Sequence, residues 1–305
     1  MASLITTLGA ISPDQLGMIL PHEHVFVDLR KWHEPGYGQA DASDVIALMK
    51  PEIDKIKTQG VMALVECSAV GVGRRADLDR AVSEATDFPI VVPTGIYREQ
   101  WIPDWAREMS EDQLAEWMLG ELQGEIEDSG VQAGWIKVGA SDDGLTPTEI
   151  KILRAAACAA KKVNAVIGSH TIRGRVAKEQ IAIIEDAGYS AERFIWIHTQ
   201  AESDFDLHLE VAQRGAWIEY DGIGNPDDDT LYLERIQRIL DTGLGERLLL
   251  SHDRGWYDPA LPYGGTPKPY TYLCEMFIPK LRAAGVDDAI IRQLTTVNPF
   301  NAFAR

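Results

Sequence analysis

Short apolar runs alternate along this chain with glycine- or proline-marked turns, and these with amphipathic stretches of helical period. A small hairpin within Thr6 to Leu20 is predicted to lead into a first strand ending at His24. Further strands are predicted at Val61 to Cys67, Pro89 to Pro93, Gly134 to Val138, from Ala165 to Ile167 onward, Phe194 to Ile197, Ala216 to Tyr220 and Leu248 to Leu250. Near-continuous apolar runs of this length suit strands covered on both faces.

Between them the polar pattern predicts helices. One starts near Asp44, is expected to kink at Pro51 and stops at Gly60; another covers Asp77 to Thr86. Ser110-x-x-Gln113 and Thr146-Pro147-Thr148-Glu149 read as capping boxes, the second opening a helix to about Val163. Two more helices end at Gly188 and near Gly215, and Tyr270 to Arg305 supplies one or two more. Strand and helix alternating at this spacing imply parallel βαβ units. Eight of them predict an α/β fold, a (β/α)8 TIM barrel in which residues 1–305 form a single domain. An open doubly wound sheet is the alternative.

Composition changes little. The chain has 305 residues, 45% hydrophobic and 25% charged, which is ordinary globular composition. Its charge of -18 argues against nucleic acid or an anionic membrane surface as partner. Cys67, Cys158 and Cys274 lack paired spacing, so a reducing, cytoplasmic setting is expected. The first twenty residues lack a positive n-region, so no signal peptide is expected, and no run is long enough to span a membrane.

Candidate chemistry comes from the strand ends. In Pro21-His22-Glu23-His24 the two histidines are two residues apart and share one face of a strand, with Glu23 on the other. Strand four carries Lys137, strand five ends in His170, strand six in His198 and strand eight in Asp253. Each alone has a plain structural explanation: a hydrogen-bonded core histidine, a lysine reaching the rim, an aspartate capping a turn. Together they fall at the C-terminal end of the barrel, where such folds build active sites. Four imidazoles and a carboxylate suit zinc or a similar divalent ion. A buried neutral lysine amine can take up carbon dioxide to give an anionic carbamate. His208, inside a helix, and His252, facing away from Asp253, are assigned to no metal.

This set of positions resembles the phosphotriesterase family of the amidohydrolase superfamily, from Leu8-Gly9 and Pro21-His22-Glu23-His24 to Asn298-Pro299. The resemblance implies a binuclear metal-dependent hydrolase with a small-molecule substrate, and a homodimer is common in that family. His22, His24 and Asp253 would hold the more buried ion and His170 and His198 the outer one. N6-carboxylysine at Lys137 would bridge them. A metal-bridging hydroxide would attack a lactone or related carboxylic ester, with promiscuous phosphotriesterase activity, and Asp253 would take the proton. Tyr97 is similar to a pocket tyrosine of phosphotriesterase-like lactonases.

Two departures stand out. Those lactonases carry Asp-Arg after strand seven, where this chain has Asp221-Gly222. Many members also place an acid three residues after the strand-six histidine, whereas here Glu202 comes one position later. Both weaken the expectation of long-chain lactonase or organophosphate chemistry and leave the metal set intact. In the loop after strand eight, Arg254 and Trp256 are the substrate-binding candidates, Arg254 for an anionic group; Arg30, Trp32 and His33 are weaker ones. An amidase, a phosphotriesterase proper and a non-catalytic ligand-binding barrel remain as alternatives.

Overall fold

Eight strands close into one parallel ring. The computed structural model describes residues 2–15, 17–224 and 229–305. A hairpin, Leu4–Thr6 with Gly9–Ile11, precedes the first barrel strand, Met18–Phe26; Leu16, in the lead-in, lies outside the described residues. Strand two is Val61–Glu66, and strand three is split into Ile90–Val91 and Pro93–Thr94. Strands four to eight are Trp135–Gly139, Ile167–His170, Phe194–Ile197, Trp217–Tyr220 and Leu248–Leu250. Neighbours pair in sequence order throughout. The barrel expectation holds, and the open sheet is excluded.

Strand eight was predicted too short. After a break, Gly255–Tyr257 extends it and pairs in parallel with strand one, Gly255 opposite His24 and Tyr257 opposite Phe26. Asp253 N–H to His22 C=O (3.1 Å) and His24 N–H to Arg254 C=O (2.8 Å) complete that seam. A Cβ on Gly255 (φ +97°) would stand 1.9 Å from the His24 carbonyl oxygen, so only glycine lets the chains approach this closely.

Both capping boxes form, at Ser110 and Thr146. The helix containing Pro51 runs unbroken over Ala42–Thr58. The C-terminal region forms two helical stretches, each with a π segment the sequence pattern does not announce, Leu273–Phe277 and Gln293–Val297. Each π segment runs directly into Ile278-Pro279 or Asn298-Pro299, and proline, which lacks the N–H and crowds the preceding turn, favours such widening.

Strand side chains alternate in and out of the ring. Ile19, Val65, Val91, Trp135, Ile195, Trp217 and Leu249 fill its lower interior, and Phe300 and Phe303 close the bottom. Two residues further along, the same inward face carries Lys137 above Trp135 and Glu219 above Trp217. An apolar plug thus underlies a polar layer. Among the described residues no helix is long and apolar enough to cross a membrane.

Candidate metal centre

The polar layer opens into a cavity of about 250 Å3 whose lining includes His22, His24, Lys137, His170, His198 and Asp253. All six expected ligand residues are therefore brought to one place. His22 and His198 rings lie 5.2 Å apart, and His170 and His198 rings 4.6 Å. Asp253 Oδ1 is 3.0 Å from His24 Nε2 and 3.8 Å from His22 Nε2.

Acceptors behind three of the imidazoles fix which nitrogen faces inward. Asp221, fully buried, accepts from His198 Nδ1 (2.8 Å) and from the His198 backbone N–H (2.9 Å). His22 Nδ1 lies 3.0 Å from Glu219 and 3.3 Å from Asp221. Ser68 donates its hydroxyl proton to Phe26 C=O, so it accepts from His24 Nδ1 at 2.8 Å. Each Nε2 lone pair is then left for the cavity, the arrangement that second-sphere carboxylates and hydroxyls give to metal-binding histidines. Burial works against the charge on Asp221, yet His198 and His22 hold its carboxyl well below the usual range. Burial raises the Glu219 carboxyl to about 7.

Burial, reinforced by His198, Arg98 and Lys137, pushes His170 well below its ordinary pKa, so this imidazole is neutral. Its Nδ1 is 3.0 Å from the Tyr97 hydroxyl, and its Nε2 is buried without a partner. Asp253 Oδ1 is likewise buried without a hydrogen bond, and Lys137, 2% exposed, has no hydrogen-bond or ion-pair partner among the described residues. Buried polar atoms left bare are costly unless something else meets them. Two orphaned acceptors and inward lone pairs from three more histidines fit divalent cations, and among the described residues His22, His198 and Asp253 converge closely enough to hold one, as do His22, Glu219 and Asp221.

Glu23 turns away from the cavity, as its strand position predicts. It accepts from Ser251 Oγ (2.8 Å), His252 Nδ1 (2.6 Å) and Arg254 N–H (2.9 Å), clasping the end of strand eight on both sides of Asp253. His252 Nε2 accepts from Leu273 N–H at 2.7 Å, and His208 is bonded to Tyr220 and Glu202. Neither histidine faces the cavity.

Tyr97 and Trp256 line the cavity, Trp256 with its ring edge-on to His24 at 5.6 Å. Arg254 does not. Its guanidinium donates to Gly224 C=O (2.6 Å) and lies over Tyr272, beside an adjoining polar depression. Arg98, which the sequence pattern did not single out, stands in the cavity wall instead, beside Trp101. Trp32 and His33 meet edge to face, and Arg30 is tied to Asp28; none of these three lines the cavity.

The description of the phosphotriesterase family matches residues 2–303. The chain belongs to the phosphotriesterase family. It is 29% identical over 299 residues to the phosphotriesterase homology protein of Escherichia coli, covering 96% of this chain and 100% of that one. It is 26% identical over 337 residues to the N-acetyltaurine hydrolase of Mus musculus, covering 96% and 95%. A variant of a PTE-like lactonase from Deinococcus radiodurans superimposes with a TM-score of 0.87 at 28% identity, over 99% of this chain and 100% of that one. Members of this phosphotriesterase family are metal-dependent hydrolases, and this chain is a hydrolase of that family.

Proposed function

We propose that the chain is a binuclear hydrolase of lactones or related carboxylic esters, with slower turnover of phosphotriesters. His22, His24 and Asp253 would hold an inner cation, His170 and His198 an outer one, and Lys137 both, once its Nζ has bonded to carbon dioxide and released a proton. The observation carrying this reading is the convergence of six side chains on one cavity with His170 Nε2 and Asp253 Oδ1 orphaned. Two divalent cations, zinc in this reading, would supply Lewis acidity at the substrate oxygen and acidify water.

The chain's own groups would do the rest. Opposed by burial, the contact with His24 holds the Asp253 carboxyl below its ordinary range, so it is ionised and can receive a proton. Burial keeps the Tyr97 phenol protonated well above its ordinary pKa. Accepting from His170 Nδ1, its hydroxyl is free to donate to a substrate oxygen. Trp256, Val27, Val72 and Trp101 would hold the apolar part of the substrate away from water. Amide hydrolysis is the second reading, favoured by the similarity to the mouse N-acetyltaurine hydrolase.

The test combines metal analysis with a panel of γ- and δ-lactones, aryl esters, N-acyl amides and phosphotriesters. We expect two ions per chain, lactones or esters turned over fastest, and both properties lost in Lys137→Ala. A Lys137→Ala protein that kept both ions and full activity would refute the bridge. No turnover of any class would favour a binding protein.

A further inference from the structure

Among the residues lining the cavity, Arg98 stands apart. The chain as a whole carries -18, so an anion approaches against the protein's field and must be met by a local cation. Two arginines lie near the six converging side chains. Arg254 is engaged by the Gly224 and Pro269 carbonyls. Arg98 lines the cavity, and its guanidinium carbon lies 5.5 Å from the centre of the Trp101 ring and 5.9 Å from that of Tyr97. Contact with two aromatic rings restricts the guanidinium before any ligand arrives.

The partners of that fork are few. Nη1 donates to Asp142 at 2.8 Å, and Asp142 is half exposed, so the pair is a weak, screened one. Nε is buried without a partner, and Nη2 makes no hydrogen bond among the described residues. A guanidinium held against aromatic rings with one exposed acid as partner is under-used as an ion pair. It is suited to accept a planar anion at the mouth of the cavity.

Size narrows the substrate. About 250 Å3 lies below the ~300–1,000 Å3 of pockets that enclose drug-sized ligands, and any cations would occupy part of it. Leu29, Val72, Trp101 and Trp256 leave only a short apolar lining. The enclosed part suits a small substrate better than a long acyl chain.

We infer that the cavity is built for a small substrate carrying one carboxylate beside its scissile acyl bond, with Arg98 receiving the carboxylate. The scissile bond rests on the hydrolase reading above; the anion subsite does not. It also removes the need for an arginine after strand seven, where this chain has Gly222.

The test uses the metal-loaded protein and two ligand pairs. Turnover is compared for γ-butyrolactone-γ-carboxylate and its carboxamide. Binding is compared by calorimetry for succinamate and the uncharged succinamide, which need no turnover. The carboxylate member is expected to be favoured at least about tenfold in both pairs, since charge-assisted bonds exceed neutral ones by that order. Arg98→Met is expected to collapse both ratios about 10- to 100-fold, and Arg98→Lys to retain part of them. Asp142→Asn, on the exposed side, removes the charge that competes for Nη1 and is expected to tighten succinamate relative to succinamide. Ratios unchanged in Arg98→Met, or no carboxylate preference in the parent protein, overturn the inference. If neither lactone is turned over while the succinamate-to-succinamide ratio depends on Arg98, the lactonase reading falls and the subsite stands.

Discussion

Replacing Asp221 by asparagine tests the support behind His198. The carboxylate meets three donors: His198 Nδ1 at 2.8 Å, His198 N–H at 2.9 Å and Gln200 Nε2 at 2.5 Å, with His22 Nδ1 at 3.3 Å. An asparagine keeps the shape but turns one acceptor into a donor. Whichever way the amide points, an N–H of His198 then faces another N–H. The backbone donor cannot move, so the imidazole relieves the clash by carrying its proton on Nε2, which removes its lone pair from the cavity. Loss of such a supporting partner costs about 10- to 100-fold in metal affinity, or roughly 1.4–2.7 kcal/mol. Competition with a chromogenic chelator should therefore show one of two ions weakened by that factor, with kcat falling in step. The other ion, with His24 and Asp253 untouched, should stay nearer its original affinity. An Asp221→Asn protein holding both ions as tightly as the parent would refute the reasoning.

Other outcomes follow from buried groups away from the cavity lining. Burial lowers the His208 pKa to about 4, so between about 6.5 and 4 the unfolded chain binds a proton that the folded chain refuses. That share of stability is complete above pH 6.5 and lost as pH falls, on the order of 2 kcal/mol between pH 7 and 5. Urea midpoints of the parent and His208→Gln measure it, and an equal acid sensitivity in both would sink the assignment. Glu23→Gln sets an amide against Ser251, His252 and Arg254 donors and is expected to cost about 1.5–3 kcal/mol. An unchanged urea midpoint would contradict the clasp.

Much of the architecture is legible in the chain because barrel strands are buried on both faces. Phe194–Ile197 and Leu248–Leu250 emerge with the bounds their apolar runs predict. Gly255–Tyr257 is not legible, because its pairing depends on a partner more than two hundred residues earlier and on a glycine that also reads as a turn. The expected ligands could be found because metal-binding side chains are chemically distinctive and fall at strand ends. Their supports could not: Ser68, Glu219 and Asp221 are ordinary residues whose roles exist only once the closed ring sets strand two beside strand one, strand seven beside strand six, and His22 across from Glu219. Asp221 was visible in sequence only through the missing arginine after it. Arg98 and Arg254 are equally plausible as sequence, and only the fold separates the one lining the cavity from the one turned to backbone carbonyls.

The seam between strands one and eight has a consequence for how the molecule comes into being. His22 and His24 leave the ribosome early, whereas Asp253 and the strand that locks beside them arrive near the end. No partial chain can present the inner trio, so uptake of an ion there would report that synthesis and ring closure are both complete. The same ion would then span the last joint to form and act as its rivet. Chelation should accordingly open the barrel first at that joint, with hydrogen exchange quickening at His24 and Asp253 before it does at strands four and five.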